Sequence, residues 1–192
     1  MRLVGLALVV SLLSATPARA EVVLGVDSSV SRPLDQDALH TGYSLRGQVG
    51  YEMVTDGGGV RLTPGVAFEY GRYGIEGLPE VPASQKLALA GVRAALGDVV
   101  RPSLSLELGY GERQVTIDRD ALGRFEAAKR GLALGLGAAL DVVLGSGVSL
   151  GIHVRYRSLN GNVELSGGGK TMEVGSSPLA WIDAGAHVVM RF

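Results

Sequence analysis

Residues 43–53 read Tyr43-Ser44-Leu45-Arg46-Gly47-Gln48-Val49-Gly50-Tyr51-Glu52-Met53, and the order of these side chains decides the fold class. Tyr43, Leu45, Gly47, Val49, Tyr51 and Met53 alternate with Ser44, Arg46, Gln48, Gly50 and Glu52, so both charges fall on one side. A period of two belongs to an extended strand whose faces meet different surroundings; a helix would return its apolar groups every three or four residues.

The same split recurs along the chain. At 60–70, Val60, Leu62, Pro64, Val66, Phe68 and Tyr70 oppose Arg61, Thr63, Gly65, Ala67 and Glu69. At 103–110, Leu104, Leu106, Leu108 and Tyr110 oppose Ser103, Ser105, Glu107 and Gly109. At 148–157, Val148, Leu150, Ile152, Val154 and Tyr156 oppose Ser149, Gly151, His153, Arg155 and Arg157. At 181–192, Ile182, Ala184, Ala186, Val188, Met190 and Phe192 oppose Trp181, Asp183, Gly185, His187, Val189 and Arg191. Weaker segments lie at 22–27, at 84–96, where Arg93 sets the polar face, and at 131–141, where Gly131, Gly135 and Gly137 count against a helix at roughly 1 kcal/mol each. The total is eight strands. Their connectors alternate: 28–42, 71–83, 118–130 and 159–178 are long, whereas 55–59, 97–101 and 142–147 are short.

Composition fits an unusual surface. Of 192 residues 29 are Gly, 46% are hydrophobic and 19% charged, with no Cys and a net charge of −1. That excludes disorder, a nucleic-acid partner, disulfides and thiolate chemistry. Arg2, the apolar stretch 3–13 and the triplet Ala18-Arg19-Ala20 read as a cleavable export signal, with the mature chain running from 21 to 192.

Which face points inward separates two barrels of the same periodicity. The polar faces set Gly, Ala and Ser between long Arg and Glu side chains, as a narrow interior requires. The aromatics Tyr43, Phe68, Tyr70, Tyr110 and Tyr156 lie on the apolar faces near the long-connector ends, as an interfacial girdle does. These features place polar residues inside and apolar ones against lipid.

On these residues the chain resembles the small outer-membrane β-barrels of Gram-negative bacteria, the OmpA/OmpX type, across residues 21–192. The resemblance implies an all-β, eight-stranded, antiparallel up-and-down transmembrane barrel in the outer membrane, with four long extracellular loops. It also implies that the last strand, with Val188, Met190 and terminal Phe192, is the signal read by the barrel-assembly machinery. Outer-membrane lipid and lipopolysaccharide are the other expected partners; any extracellular ligand stays open. Pro64 is expected at a bulge or a strand start, because a closed ring has no free edge for a residue without an N–H.

Eight strands enclose a lumen just wide enough to be filled by side chains. Arg46, Arg61, Arg93, Arg113, Arg155, Arg157 and Arg191 face Asp27, Glu52, Glu69, Glu107, Asp141 and Asp183, so a packed charge network is expected rather than a conduit. His153 and His187, with Ser149 and Asp183 nearby, could be drawn as a hydrolase triad. The His-x-Ser pattern of barrel lipid A deacylases is absent, since Arg155 and Val189 stand where Ser would. Gly167-Gly168-Gly169-Lys170-Thr171 lacks the first Gly of a phosphate loop, Glu164 standing in its place, and reads as a mobile loop. Asp35-Gln36-Asp37 and Asp118-Arg119-Asp120 read as solvated acids. The expectation is a non-enzymatic surface barrel with no cofactor and no metal site. A lipid-modifying enzyme and a soluble lipocalin-like binder of apolar ligands are the alternatives.

Overall fold

The computed structural model describes residues 19–34, 39–54, 59–75, 81–119, 123–145, 147–175 and 178–192. The strands are β1 (Arg19–Leu34), β2 (Leu39–Val54), β3 (Val60–Ile75), β4 (Ala83–Leu96), β5 (Val100–Arg119), β6 (Gly123–Val143), β7 (Val148–Gly167), β8 (Lys170–Val174) and β9 (Leu179–Arg191). From β1 to β8 each strand pairs antiparallel with the next in the chain, and β9 pairs with β1 and with β7. β6 occupies one side of β7 along its length, so β8 must pair on the side where β9 pairs lower down. β8 is thus the upper part of the last strand, and the ring has eight members.

Lateral register fixes the geometry of closure. From Leu132 the row runs through Tyr110, Ala88, Phe68, Gly47, Val26, Val188 and Leu150 to Val142, ten residues along β6 from its start. A shear of that size over eight strands tilts them by about 40°.

The inverted faces follow from the alternation. Leu24, Val26, Leu45, Val66, Leu104, Leu106, Leu136, Ile152 and Val154 all project outward and are exposed. Asp27, Arg46, Glu69, Glu107, Asp141, Arg157 and Asp183 are buried inside. A soluble barrel reverses this arrangement, so the soluble apolar-ligand reading fails on side-chain direction. Leu87 and Leu89 face inward, as Arg93 in the same strand requires.

Three expectations are corrected. The connectors taken as four long loops are largely strand: β5 and β6 pair as far as Arg119 and Gly123, and β3 runs to Ile75. Above the bilayer both faces of a sheet meet water, so the alternation that marks a strand fades there. Gly168 and Gly169, at φ 59° and 78°, form the tight β7–β8 hairpin turn, a conformation glycine adopts without strain, instead of a mobile loop. Pro64 is neither at a bulge nor at a strand start. The β2–β3 register is unchanged from Gly50↔Gly65 to Met53↔Leu62, with no partner recorded across that gap for Pro64, while Pro64 pairs Val92 on its other side.

The export signal lies outside the described residues except Arg19 and Ala20, which pair with Val54 and Met53. Phe192 closes the seam through its backbone: Val22 N donates to Phe192 O at 3.1 Å and Phe192 N to Val22 O at 3.0 Å, while the residue as a whole is 70% exposed. Deleting Phe192 is expected to lower the amount of folded barrel in the outer membrane several-fold, with little change in the unfolding midpoint of what does fold. Heat-modified gel migration of membrane fractions measures the first and urea titration the second; unchanged assembly would remove the terminal residue from that role.

Candidate functional site

The lumen is filled in tiers, each built by inward positions of several strands. At the short-turn end Glu52 meets Arg61 at 3.1 Å, Arg191 at 3.1 Å and Arg101 at 3.6 Å, and Arg61 reaches Asp98 at 2.9 Å. Arg101 belongs to this cluster although its sequence position reads as a turn. In the middle, Asp27 bridges Arg46 (3.1 Å) and Arg155 (2.5 Å), and Glu107 bridges Arg46 (2.5 Å) and Arg157 (2.9 Å). Arg157, fully buried, also holds Glu69 at 2.8 Å and Asp183 at 3.1 Å. Arg93 pairs with Asp141. Toward the loop end Arg113 donates to Gln85 and lies over the rings of Tyr73 and Trp181, above an apolar plug of Leu87, Leu89, Ala133, Leu159 and Trp181.

The two histidines meet, but not the partners expected from sequence. Ser29 Oγ lies 2.8 Å from His153 Nε2, the Nδ1 atoms of His153 and His187 are 3.1 Å apart, and His187 Nε2 contacts Asp141. Ser149 instead accepts from Arg191, and Asp183 from Ser31 and Arg157. The ring centroids are 5.4 Å apart, close to the greatest separation a 3.1 Å nitrogen contact permits. The nitrogens therefore point straight at each other and share one proton; two ligands of a common metal would be bent about it. Asp141 accepts from His187, so a neutral His187 accepts from His153, and His153 accepts from the Ser29 hydroxyl. This chain is a directed hydrogen-bond ladder along the inner wall over four neighbouring strands, from β1 past β9 and β7 to β6. Gly151 makes room for it, since a Cβ there would stand 2.6 Å from both Asp141 Oδ1 and His187 Nε2. Two of these contacts skip a strand, β1 to β7 over β9 and β9 to β6 over β7, and contacts between strands that are not paired leave no trace in local sequence, which is why Ser29 and Asp141 are missed as partners of the histidines.

A cavity of about 70 Å³ lies beside this ladder, lined among others by Arg46, Glu52, Arg93, Glu107 and His187. That is room for a few waters. Among the described residues there is no group of three metal-ligating side chains. Asp35, Asp37 and Asp120 lie outside the described residues, as do the side chains of Asp118 and Arg119.

On the outside, Tyr43, Phe68, Tyr70, Tyr110 and Tyr156 all project from the barrel. Once the climb per strand implied by the shear is removed, they fall within about three residues of one height. The sixth tyrosine, Tyr73, turns inward and is buried. Arg32, Arg72 and Lys86 project outward just above this ring. Higher still, Arg130 joins Glu112 at 2.8 Å and Glu164 at 3.0 Å. About 20 Å above the lowest aromatic, the projecting hairpins form, on the face that points into the lumen lower down, a mostly apolar groove of about 450 Å³ lined by Val115, Ile117, Phe125, Ala127, Leu165 and Met172 together with Glu126 and Lys170.

No protein-family model and no curated protein matches the chain. Solved structures do. Neisserial surface protein A superposes with a TM-score of 0.65 at 16% identity, covering 91% of this chain and 99% of that one. The outer membrane protein OprG of Pseudomonas aeruginosa gives 0.58 at 14% identity over 93% and 98% of the two chains. A major outer membrane protein of Thermus thermophilus gives 0.56 at 12% over 91% and 100%. At these identities the likeness is one of fold, and it agrees with the lipid-suited exterior and the charged, filled interior derived above: by architecture the chain is an eight-stranded integral barrel of the small outer-membrane type.

Proposed function

We propose that this chain is a non-conducting, non-enzymatic outer-membrane barrel that presents a rigid recognition surface outside the cell. The observation that carries the reading is the division between a lumen filled by ion pairs, which leaves no path for solute, and a sheet that continues beyond the aromatic ring into an apolar groove. Arg32, Arg72 and Lys86 stand where phosphates of outer-leaflet lipopolysaccharide would lie, and they anchor the barrel at a fixed depth. Arg130, Glu112 and Glu164 stand on the outer face of the projecting hairpins and the groove on their inner face, above the mouth of the lumen, so the groove is offered to partners outside the membrane and not to acyl chains within it. Phe192, Met190 and Val188 hand the chain to the assembly machinery. Asp141, His187, His153 and Ser29 serve the barrel's interior, because all four are buried and their polar atoms are spent on one another in the relay.

The cysteine-free chain makes the orientation testable. A cysteine at Lys170 is expected to react with a membrane-impermeant maleimide on intact cells, and one at Asp98 only after lysis. The opposite labelling pattern would invert the barrel and end this reading. Planar-bilayer recordings of the purified barrel are expected to show no discrete conductance steps.

A further inference from the structure

The inner face of the projecting hairpins has a shape that its register explains. Val115, Ala127, Leu165 and Met172 lie in one row across β5, β6, β7 and β8. Ala127 is the smallest side chain of that row, so the row dips at β6 between Val115 on one side and Leu165 and Met172 on the other. The row above ends at Lys170, and in it the Phe125 ring lies against Gly167, where a Cβ would stand 2.5 Å from Phe125 Cδ1. The result is a trough with an aromatic flank, and it is open: Phe125 is 46% exposed, Leu165 39% and Met172 61%.

The charges of this sheet are sorted between its faces. By alternation Glu112, Glu126, Glu164 and Glu173 turn outward, and Glu126, at the rim of the groove, meets Arg124 on that side at 4.0 Å. The inner face carries the exposed Lys170 and, at its foot, the buried Lys129, with no carboxylate among the described residues. A second copy laid face to face would set lysine against lysine, and a cationic partner would meet the same repulsion. An apolar trough with one charge converging on its end suits a small amphiphile of opposite sign. Four strands about 4.8 Å apart make the trough about 14 Å long, the extended length of about a dozen carbons.

We propose that the groove binds a long-chain alkyl carboxylate, its tail laid across Val115, Ala127 and Leu165 and its head at Lys170. Met172, beside the head, has the flexible thioether that adapts to such a chain. The inference rests on the outward placement of the groove in the reading above, and cysteine labelling at Lys170 tests that placement separately.

The methionines supply a reporter with internal controls. Met172 lies in the groove, whereas Met53 and Met190 project toward lipid near the short-turn end. The folded barrel, isotope-labelled at its methionine methyls and held in phosphatidylcholine nanodiscs, is titrated with sodium dodecanoate and followed by NMR. A saturable shift of Met172 is expected while Met53 and Met190 stay in place. Hexanoate is expected to need at least tenfold more for half-saturation, and dodecyltrimethylammonium at least fivefold more. Ala127→Trp, which fills the trough, is expected to abolish the shift, and Lys170→Glu to reverse the preference between the two dodecyl head groups. Both variants are checked as folded by heat-modified migration; should Ala127→Trp fail to fold, Lys170→Glu, at an exposed hairpin position, decides. Movement of all three methionines together would mean partition into the bilayer, and a Met172 shift driven by protein concentration alone would assign the face to a second copy. Either result, equal half-saturation by the two head groups, or a silent Met172 overturns the proposal; with Lys170 labelled from outside, it does so without touching the recognition role.

Discussion

Replacing Arg157 by Leu is expected to destabilise the barrel by about 3–5 kcal/mol, the cost of removing one partner from a buried ion cluster. The magnitude follows from what stays behind. Glu69, Glu107 and Asp183 all lie within ion-pair distance of this one guanidinium, and Glu69 and Asp183 are each 1% exposed. Glu107 keeps Arg46, and Asp183 keeps Ser31, but Glu69 loses the ion-pair partner recorded for it among the described residues. Urea unfolding in detergent micelles, followed through Trp181, which pairs Arg157 across the β7–β9 ladder, measures the loss. A change under about 1 kcal/mol would show that water reaches these carboxylates freely, and the lumen would then have to be redescribed as hydrated.

The second large effect is on the other face. Leu106 is 56% exposed and paired with Val92 and Leu136, both also outward. In water an exposed Leu→Arg substitution is close to neutral. In lipid it places a guanidinium against hydrocarbon, and Leu106→Arg is expected to destabilise by about 2–4 kcal/mol in vesicles. Arginine introduced at Thr171, on the exposed β8, supplies the contrast, with an expected change within about 0.5 kcal/mol. Equal effects at the two positions would contradict the assignment of the faces.

Legibility in the sequence follows the solvent contrast across each strand. Between lipid and lumen that contrast is complete, and a single charge is enough to orient a strand: Arg93 correctly turns Leu87 and Leu89 inward despite a nearly uniform apolar segment. Beyond the aromatic ring the contrast vanishes, and Phe125 and Leu165 read as loop although they continue β6 and β7. Charge partners behave similarly. The luminal faces of Arg46, Arg155 and Asp27 are readable from alternation, but which of them touch depends on the register between distant strands. Ser29 meeting His153, or Arg101 meeting Glu52, is a property of the ring and of no segment within it.

The seam between Val22 and Phe192 joins the two ends of the barrel by hydrogen bonds that involve no side chain. Nearly the whole chain must be in place before they form, and closing a loop of that length costs about 4–5 kcal/mol of chain entropy. Until then β1 and β9 are open edges, and an open edge invites pairing with another chain. The barrel consequently has no stable half. Its assembly is a race between its own two edges and those of its neighbours, decided at the last strand to arrive.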